Sequence, residues 1–293
     1  MEQFFRLKEN HSNVRTELIA GITTFMTMAY ILAVNPNLLG KTGMDGGSVF
    51  TATALASAIG CFAMALLANL PFALSAGMGL NAYFTYSVCQ GMGYSWEVAL
   101  AAVCVEGIIF ILLSLTNVRE AIFNAIPGEL KLAVSVGIGL FITFIGLQNA
   151  HIVVDGATLV TLFSFKESVT ASSFASEGIT VLLALIGTLI TALLVIKNVK
   201  GNILLGILIT WGLGILCQLT GLYVPNPEAG FYSLTPSSLI AMPASLAPTF
   251  MKMDFSNVLS VNFLVVVFSF LFVDIFDTLG TLIGCASKAD MLD

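Results

Sequence analysis

Residues 261–286 read VNFLVVVFSFLFVDIFDTLGTLIGCA. The run is apolar and long enough to cross a bilayer, for which about 20 residues suffice. Two carboxylates, Asp274 and Asp277, nevertheless sit midway along it. An aspartate at the centre of a spanning helix costs roughly 2.5–3.5 kcal/mol on insertion scales. A spacing of three rotates a helix by about 300°, so the two acids project within about 60° of each other. Thr278 and Thr281 continue that face, and Phe270 precedes it by one turn. Such a stripe must face a cavity or another helix, not lipid. It is either a pair of structural acids inside a bundle or a buried site for a solute or proton. The second is the default reading of intramembrane acids.

Composition points the same way. Charged residues make up 10% of the chain and hydrophobic residues 57%, with a mean hydropathy of +0.97. A soluble domain of this length is excluded; the chain is an all-α polytopic membrane protein. The net charge of −6 belongs to loops and a few special positions, and nothing suggests a nucleic-acid surface. Cys61, Cys89, Cys104, Cys217 and Cys285 all lie in apolar runs without CxxC spacing, which argues against disulfides or a metal site. The polar start, MEQFFRLKENHSNVRTE, has no apolar signal-peptide core.

Outward from the opening stretch, eight spans are predicted, near 18–38, 48–69, 71–90, 97–116, 130–150, 178–197, 201–222 and 261–286. With the N-terminus cytoplasmic, Arg6, Lys8, Arg15, Arg119, Lys131, Lys197, Lys200 and Lys288 fall inside, against Lys41, Lys166 and Lys252 outside. That is the positive-inside bias. In the first span Thr27 and Tyr30 either bond within the helix bundle or line a cavity. The third, PFALSAGMGLNAYFTYSVCQG, is broken by Pro71, Gly77 and Gly79 before Asn81. Its AYFTYSV is aromatic and β-branched, closer to a strand pattern than to a helix. Interrupted spans point to a transporter's binding site, although a Gly-rich packing helix reads equally well. Glu106 in the fourth span is a third buried acid, either a packing group or part of a proton route. His151 sits at a span boundary, and the Pro-rich stretch 223–260 is expected to be an external loop with short interfacial helices.

The motifs FSFLFVDIFDTLGTLIG, PFALSAGMGLNAYF and GITTFMTMAYILAVNP together resemble the AzgA-like adenine/guanine/hypoxanthine permease branch of the nucleobase–cation symporters. LSLTNVREAIFNAIP and GLFITFIGLQNA are similar to the same branch. The resemblance implies two inverted seven-span repeats, of which this chain would hold the first and the start of the second. On that plan 1–16 is the cytoplasmic N-terminus, 17–116 holds core spans one to four, and 117–222 holds gate spans five to seven. Residues 223–260 form the loop, 261–286 the eighth span, and 287–293 the start of a connection. The resemblance implies that the third span and its counterpart in the second repeat are each half helix and half strand, with the substrate bound between them. Asn81 and Asp274 become nucleobase-site candidates, and Asp277 a second site or coupling acid. The chain stops at Asp293, and KADMLD reads as a cut within a connection, so a longer protein is expected.

The expected function is import of a purine nucleobase with protons by alternating access, in the plasma membrane. Substrate-binding candidates are Asp274, Asn81, Asp277, Phe270, Thr27 and Tyr30; proton-coupling candidates are Asp277, Asp274 and Glu106. No cofactor or metal is expected, the coupling ion being a proton, and a homodimer is left open. Three rivals stand against this function. An anion or sulfate-type transporter would need a positive site. An intramembrane aspartyl protease would need acids on different helices facing one water. A non-transporting scaffold needs neither.

Overall fold

The computed structural model describes residues 4–7, 12–116, 127–227, 230–236, 242–256, 258 and 260–288. Most of the motif LSLTNVREAIFNAIP, with Arg119, lies outside these, as do residues 289–293 of the expected connection. The described residues form helices α1 (Val14–Met28), α2 (Ile31–Gly40), α3 (Gly46–Ala63), α4 (Met78–Ala82), α5 (Trp96–Ser114) and α6 (Gly128–Asn149). After these come strands β1 (Val153–Asp155) and β2 (Val160–Leu162), then α7 (Phe165–Thr170), α8 (Ile179–Ile196), α9 (Asn202–Leu219) and α10 (Val261–Lys288). Single π-helical segments cover Met64–Ala68, Tyr83–Gly91 and Phe174–Gly178. Among the described residues, six helical stretches are long and apolar enough to cross a membrane: Val14–Gly40, Gly46–Ala68, Trp96–Ser114, Phe174–Ile196, Asn202–Leu219 and Val261–Leu282.

The third span departs from expectation. Residues 69–77 hold no regular secondary structure, and the helix begins at Met78. AYFTYSV, strand-like by composition, is helical with a π-helical pitch. Packing overrides propensity here: Phe84, Thr85 and Val88 lie on one face and are buried. The chain is also not wholly α. β1 and β2 pair antiparallel, with Val153 opposite Leu162 and Asp155 opposite Val160. The described part of 223–260 forms turns and one bridge, Asn226 with Phe231, and no interfacial helix. Prolines 225, 227, 243 and 248 remove N–H donors that a helix there would use.

The chain divides into two compact units. The first comprises Met1–Ile31, Ala58–Leu74 and Phe144–Met242. Its centre is the α8–α9 hairpin, where glycine and threonine interlock. A β-carbon on Gly206 would collide with Thr191 Oγ1, and one on Gly187 would collide with Thr210 Oγ1. Each threonine hydroxyl is satisfied within its own helix, Thr191 on the Gly187 carbonyl (2.8 Å) and Thr210 on that of Gly206 (2.7 Å). Small residues let the two backbones approach, which is how helices associate where no hydrophobic effect separates lipid from protein.

The second unit comprises Leu32–Ser57, Ser75–Thr143 and Pro243–Asp293. Its core joins α5, α10 and the helical half of the third span through Phe84, Val88, Val98, Ala99, Ala102, Phe263, Val266, Val267 and Phe270. Ser95 caps α5 by accepting from the Val98 N–H (3.4 Å), and Ser260 does the same for Phe263 (3.2 Å) at the start of α10. On α10 the buried positions 263, 266, 267, 270, 271 and 275 make one stripe, while Leu264, Val265, Phe268 and Phe272 are exposed on the other side. Asp274, four residues beyond Phe270, continues the buried stripe and not the exposed one.

Replacing Gly206 by valine should separate α8 from α9 and lower the unfolding midpoint of the detergent-solubilised protein, at a cost of about 1–3 kcal/mol. Gly212→Ala, at a position with nothing within 4 Å, should leave the midpoint unchanged. Equal midpoints for both would mean the interlock does not stabilise the hairpin.

Candidate functional site

The acids of α10 do not stand alone. Glu106, on the buried stripe of α5 one turn beyond Ala102, is only 5% exposed, and Asp274 on α10 is its acidic neighbour. Val98 and Ala102 pack beside Phe263 and Val266, and two turns further on Glu106 reaches Asp274. The two helices therefore run parallel and close first an apolar layer, then an acidic one. Two acids are thus neighbours in one buried layer. Glu106 Oε1 is buried without a hydrogen-bond partner among the described residues. Thr278 donates to Asp274 Oδ1 at 3.2 Å, and Thr281 donates to the Asp277 carbonyl at 2.7 Å.

Asp277 faces the break in the third span. A β-carbon on Gly77 would stand 2.9 Å from its Oδ2. Gly77 is the residue before α4, and its carbonyl accepts the first helical bond, from the Asn81 N–H at 3.1 Å. The carboxylate thus lies against the spot where extended chain becomes helix. A side chain at position 77 would push the end of Asp277 aside.

Asn81 lies one turn beyond Gly77, on the same face. Its Nδ2 donates to Asn35 Oδ1, and Asn35 Nδ2 donates to Thr53 Oγ1 at 2.7 Å. Asn35, on α2, is 4% exposed. Neither Asn35 nor Thr53 is among the residues singled out from sequence. A signal exists all the same: Asn35 is an amide inside an apolar run, as Asn81 is, and it needs a partner for the same reason.

The remaining candidates are placed as follows. Phe270 is 1% exposed and sits edge-on to Tyr83, ring centroids 5.1 Å apart, with Phe84 at 6.4 Å. It is a core side chain that backs Tyr83. Thr27 and Tyr30 belong to the first unit. The Thr27 hydroxyl bonds the Thr24 carbonyl at 2.7 Å, and Tyr30 is 38% exposed. The structure therefore groups Asn81, Glu106, Asp274 and Asp277, with Phe270 behind them, in one unit.

Known proteins give this grouping a family. The family model Xan_ur_permease, described as "Permease family", matches residues 15–292. The chain is 43% identical over 304 residues to the guanine/hypoxanthine permease PbuG of Bacillus subtilis, covering all of this chain and 64% of that protein. It is 41% identical over 291 residues to PbuO of the same organism, also a guanine/hypoxanthine permease, covering 98% of this chain and 62% of the relative. The adenine permease AdeP of Escherichia coli is 36% identical over 294 residues, which is 100% of this chain and 60% of AdeP. The chain thus belongs to the nucleobase permease family, a family of membrane carriers and not of enzymes. It spans somewhat over three-fifths of the length of these relatives.

Gly77→Ala in the full-length protein should leave the unfolding midpoint nearly unchanged, since only the far end of Asp277 has to move. Affinity for any solute that contacts this carboxylate should fall about tenfold, or ~1.4 kcal/mol. Unchanged affinity would place Asp277 outside the contact.

Proposed function

We propose that this chain is part of a purine nucleobase importer that takes up guanine or hypoxanthine together with protons. The observation that carries the reading is the grouping of Asp274, Asp277 and Glu106 beside Asn81 at the break of the third span. Guanine and hypoxanthine offer an N1–H donor, and guanine adds an amino group next to it. A carboxylate that accepts from such an edge makes the charge-assisted, bidentate kind of hydrogen bond that is strongest. Adenine presents an acceptor at N1 and would need a protonated acid or another pose. Mismatched groups left unpaired in a dry site make discrimination of this kind sharp.

In this reading Asp274 and Asn81 hold the base, and Tyr83, backed by Phe270, lines the aromatic side. Asp277 carries the coupling proton, with the Glu106–Asp274 pair as the neighbouring proton store. A buried carboxyl that accepts a proton sheds the cost of holding charge in low dielectric, which ties occupancy by substrate to occupancy by proton. Thr27 and Tyr30 remain candidates for the cavity wall. Transport proceeds by alternating access, with residues 17–116 and 261–286 in the core and 117–222 in the gate, in the plasma membrane with the N-terminus inside. An anion-type carrier is disfavoured because the charged neighbour of each buried acid is another acid.

In the full-length protein, Asp274→Asn should weaken guanine and hypoxanthine binding by about 100-fold or more. Asp277→Asn should flatten the rise of radiolabelled purine uptake with external acidity, and should remove its sensitivity to a protonophore. Unchanged affinity in the first variant would take Asp274 out of the site, and a wild-type pH response in the second would end the coupling role.

A further inference from the structure

The hydrogen bonds between the second and third spans have a direction, and that direction can be traced to a fixed point. The Val49 carbonyl is an acceptor and nothing else. Thr53 gives its one hydroxyl proton to that carbonyl at 2.7 Å. The Thr53 oxygen can then only accept, and the group that meets it at 2.7 Å is the amide of Asn35, which must present its NH2. Asn35 is thereby turned so that its carbonyl oxygen faces Asn81, and Asn81 must answer with its own NH2. Each amide could be reversed on its own; the chain of four groups allows one orientation. At the far end Oδ1 of Asn81 is neither bonded to another described residue nor buried without a partner. It is the free end of the relay, on a residue one turn beyond Gly77, the glycine that Asp277 approaches.

We infer that Asn35 and Thr53 are positioning residues that lock Asn81 with its amide oxygen toward the substrate, so that this corner of the site accepts a hydrogen bond and selects a ring N–H on the bound base. The inference rests on the purine reading above and deepens it. With Asp274 and Asp277 also acceptors when ionised, the site is lined by oxygen and reads the donors of its ligand. An asparagine left free to turn would satisfy a ring nitrogen with or without its proton, and selectivity at that edge would be lost. Thr53 is buried, belongs to α3 and bonds Asn35, not Asn81. Its influence on the ligand can pass only through the orientation of the amides.

The test uses the full-length protein and two readouts. The first is binding of hypoxanthine against hypoxanthines methylated at single ring nitrogens, in wild type, Thr53→Val and Thr53→Ser. Wild type should reject the analogue whose N–H Asn81 reads. Thr53→Val, equal in shape but without the hydroxyl, should lower the preference for hypoxanthine over that analogue about tenfold, chiefly by losing hypoxanthine affinity. Thr53→Ser, which keeps the hydroxyl, should restore it. The second readout needs no ligand: unfolding midpoints of Thr53→Val, Asn81→Leu and the double variant. Because either change already frees Asn35, the double variant should lose less than the sum of the singles. Additive midpoints together with full discrimination in Thr53→Val would overturn the relay. Non-additive midpoints in a protein that binds no purine would uphold the relay and sink the purine reading instead.

Discussion

A carboxyl group in the middle of a membrane cannot face lipid, and Glu106 and Asp274 meet that constraint side by side in a buried layer. The requirement fixes much else. It places α5 and α10 side by side and parallel, with alanines on α5 allowing close approach and phenylalanine and valine on α10 filling the layer before the acids. It turns the apolar outer face of α10, with Leu264, Phe268 and Phe272, away from the acidic stripe. It also leaves Asp277 on the same face, one turn further, where the bend at Gly77 receives it. Burying one acid is costly. Burying three together is costlier still, and the Thr278 hydroxyl offsets part of that by donating to Asp274.

A second polar system lies beside the first and works by different means. The Thr53–Asn35–Asn81 chain is neutral, and it is anchored on a backbone carbonyl. Its worth is in orientation, since buried amides with one permitted arrangement make a rigid and specific surface. The acids provide strength and the amides provide direction. Both meet at the break of the third span, where residues 75–77 lie outside any helix.

Much of this is legible in the residues. Asp274 and Asp277 share a face that cannot meet lipid, because two charges within an apolar run of 26 residues would cost too much in hydrocarbon. The break in the third span shows in Pro71, Gly77 and Gly79. Its form does not: aromatic and β-branched residues in AYFTYSV signal a strand only when no neighbouring helices claim them, and here the core does. Glu106 stands out in the sequence but its partner does not, since periodicity describes one helix at a time and says nothing of which two will pair. Asn35 and Thr53 are hidden for a related reason. A single amide or hydroxyl in an apolar span is satisfied more often by its own helix, as Thr27 is, and only the fold reveals the exception. The β1–β2 hairpin, three residues to a strand, is too short to leave a pattern.

The central claim is that these oxygens face a ligand. A density map of the full-length protein with hypoxanthine bound tests it most directly. The account predicts the base at the third-span break, a ring N–H within hydrogen-bond reach of Asn81 Oδ1, and another edge on the carboxylate of Asp274 or Asp277. A base bound elsewhere, with these acids pressed into a dry helix contact and Asn81 turned from any cavity, would contradict it.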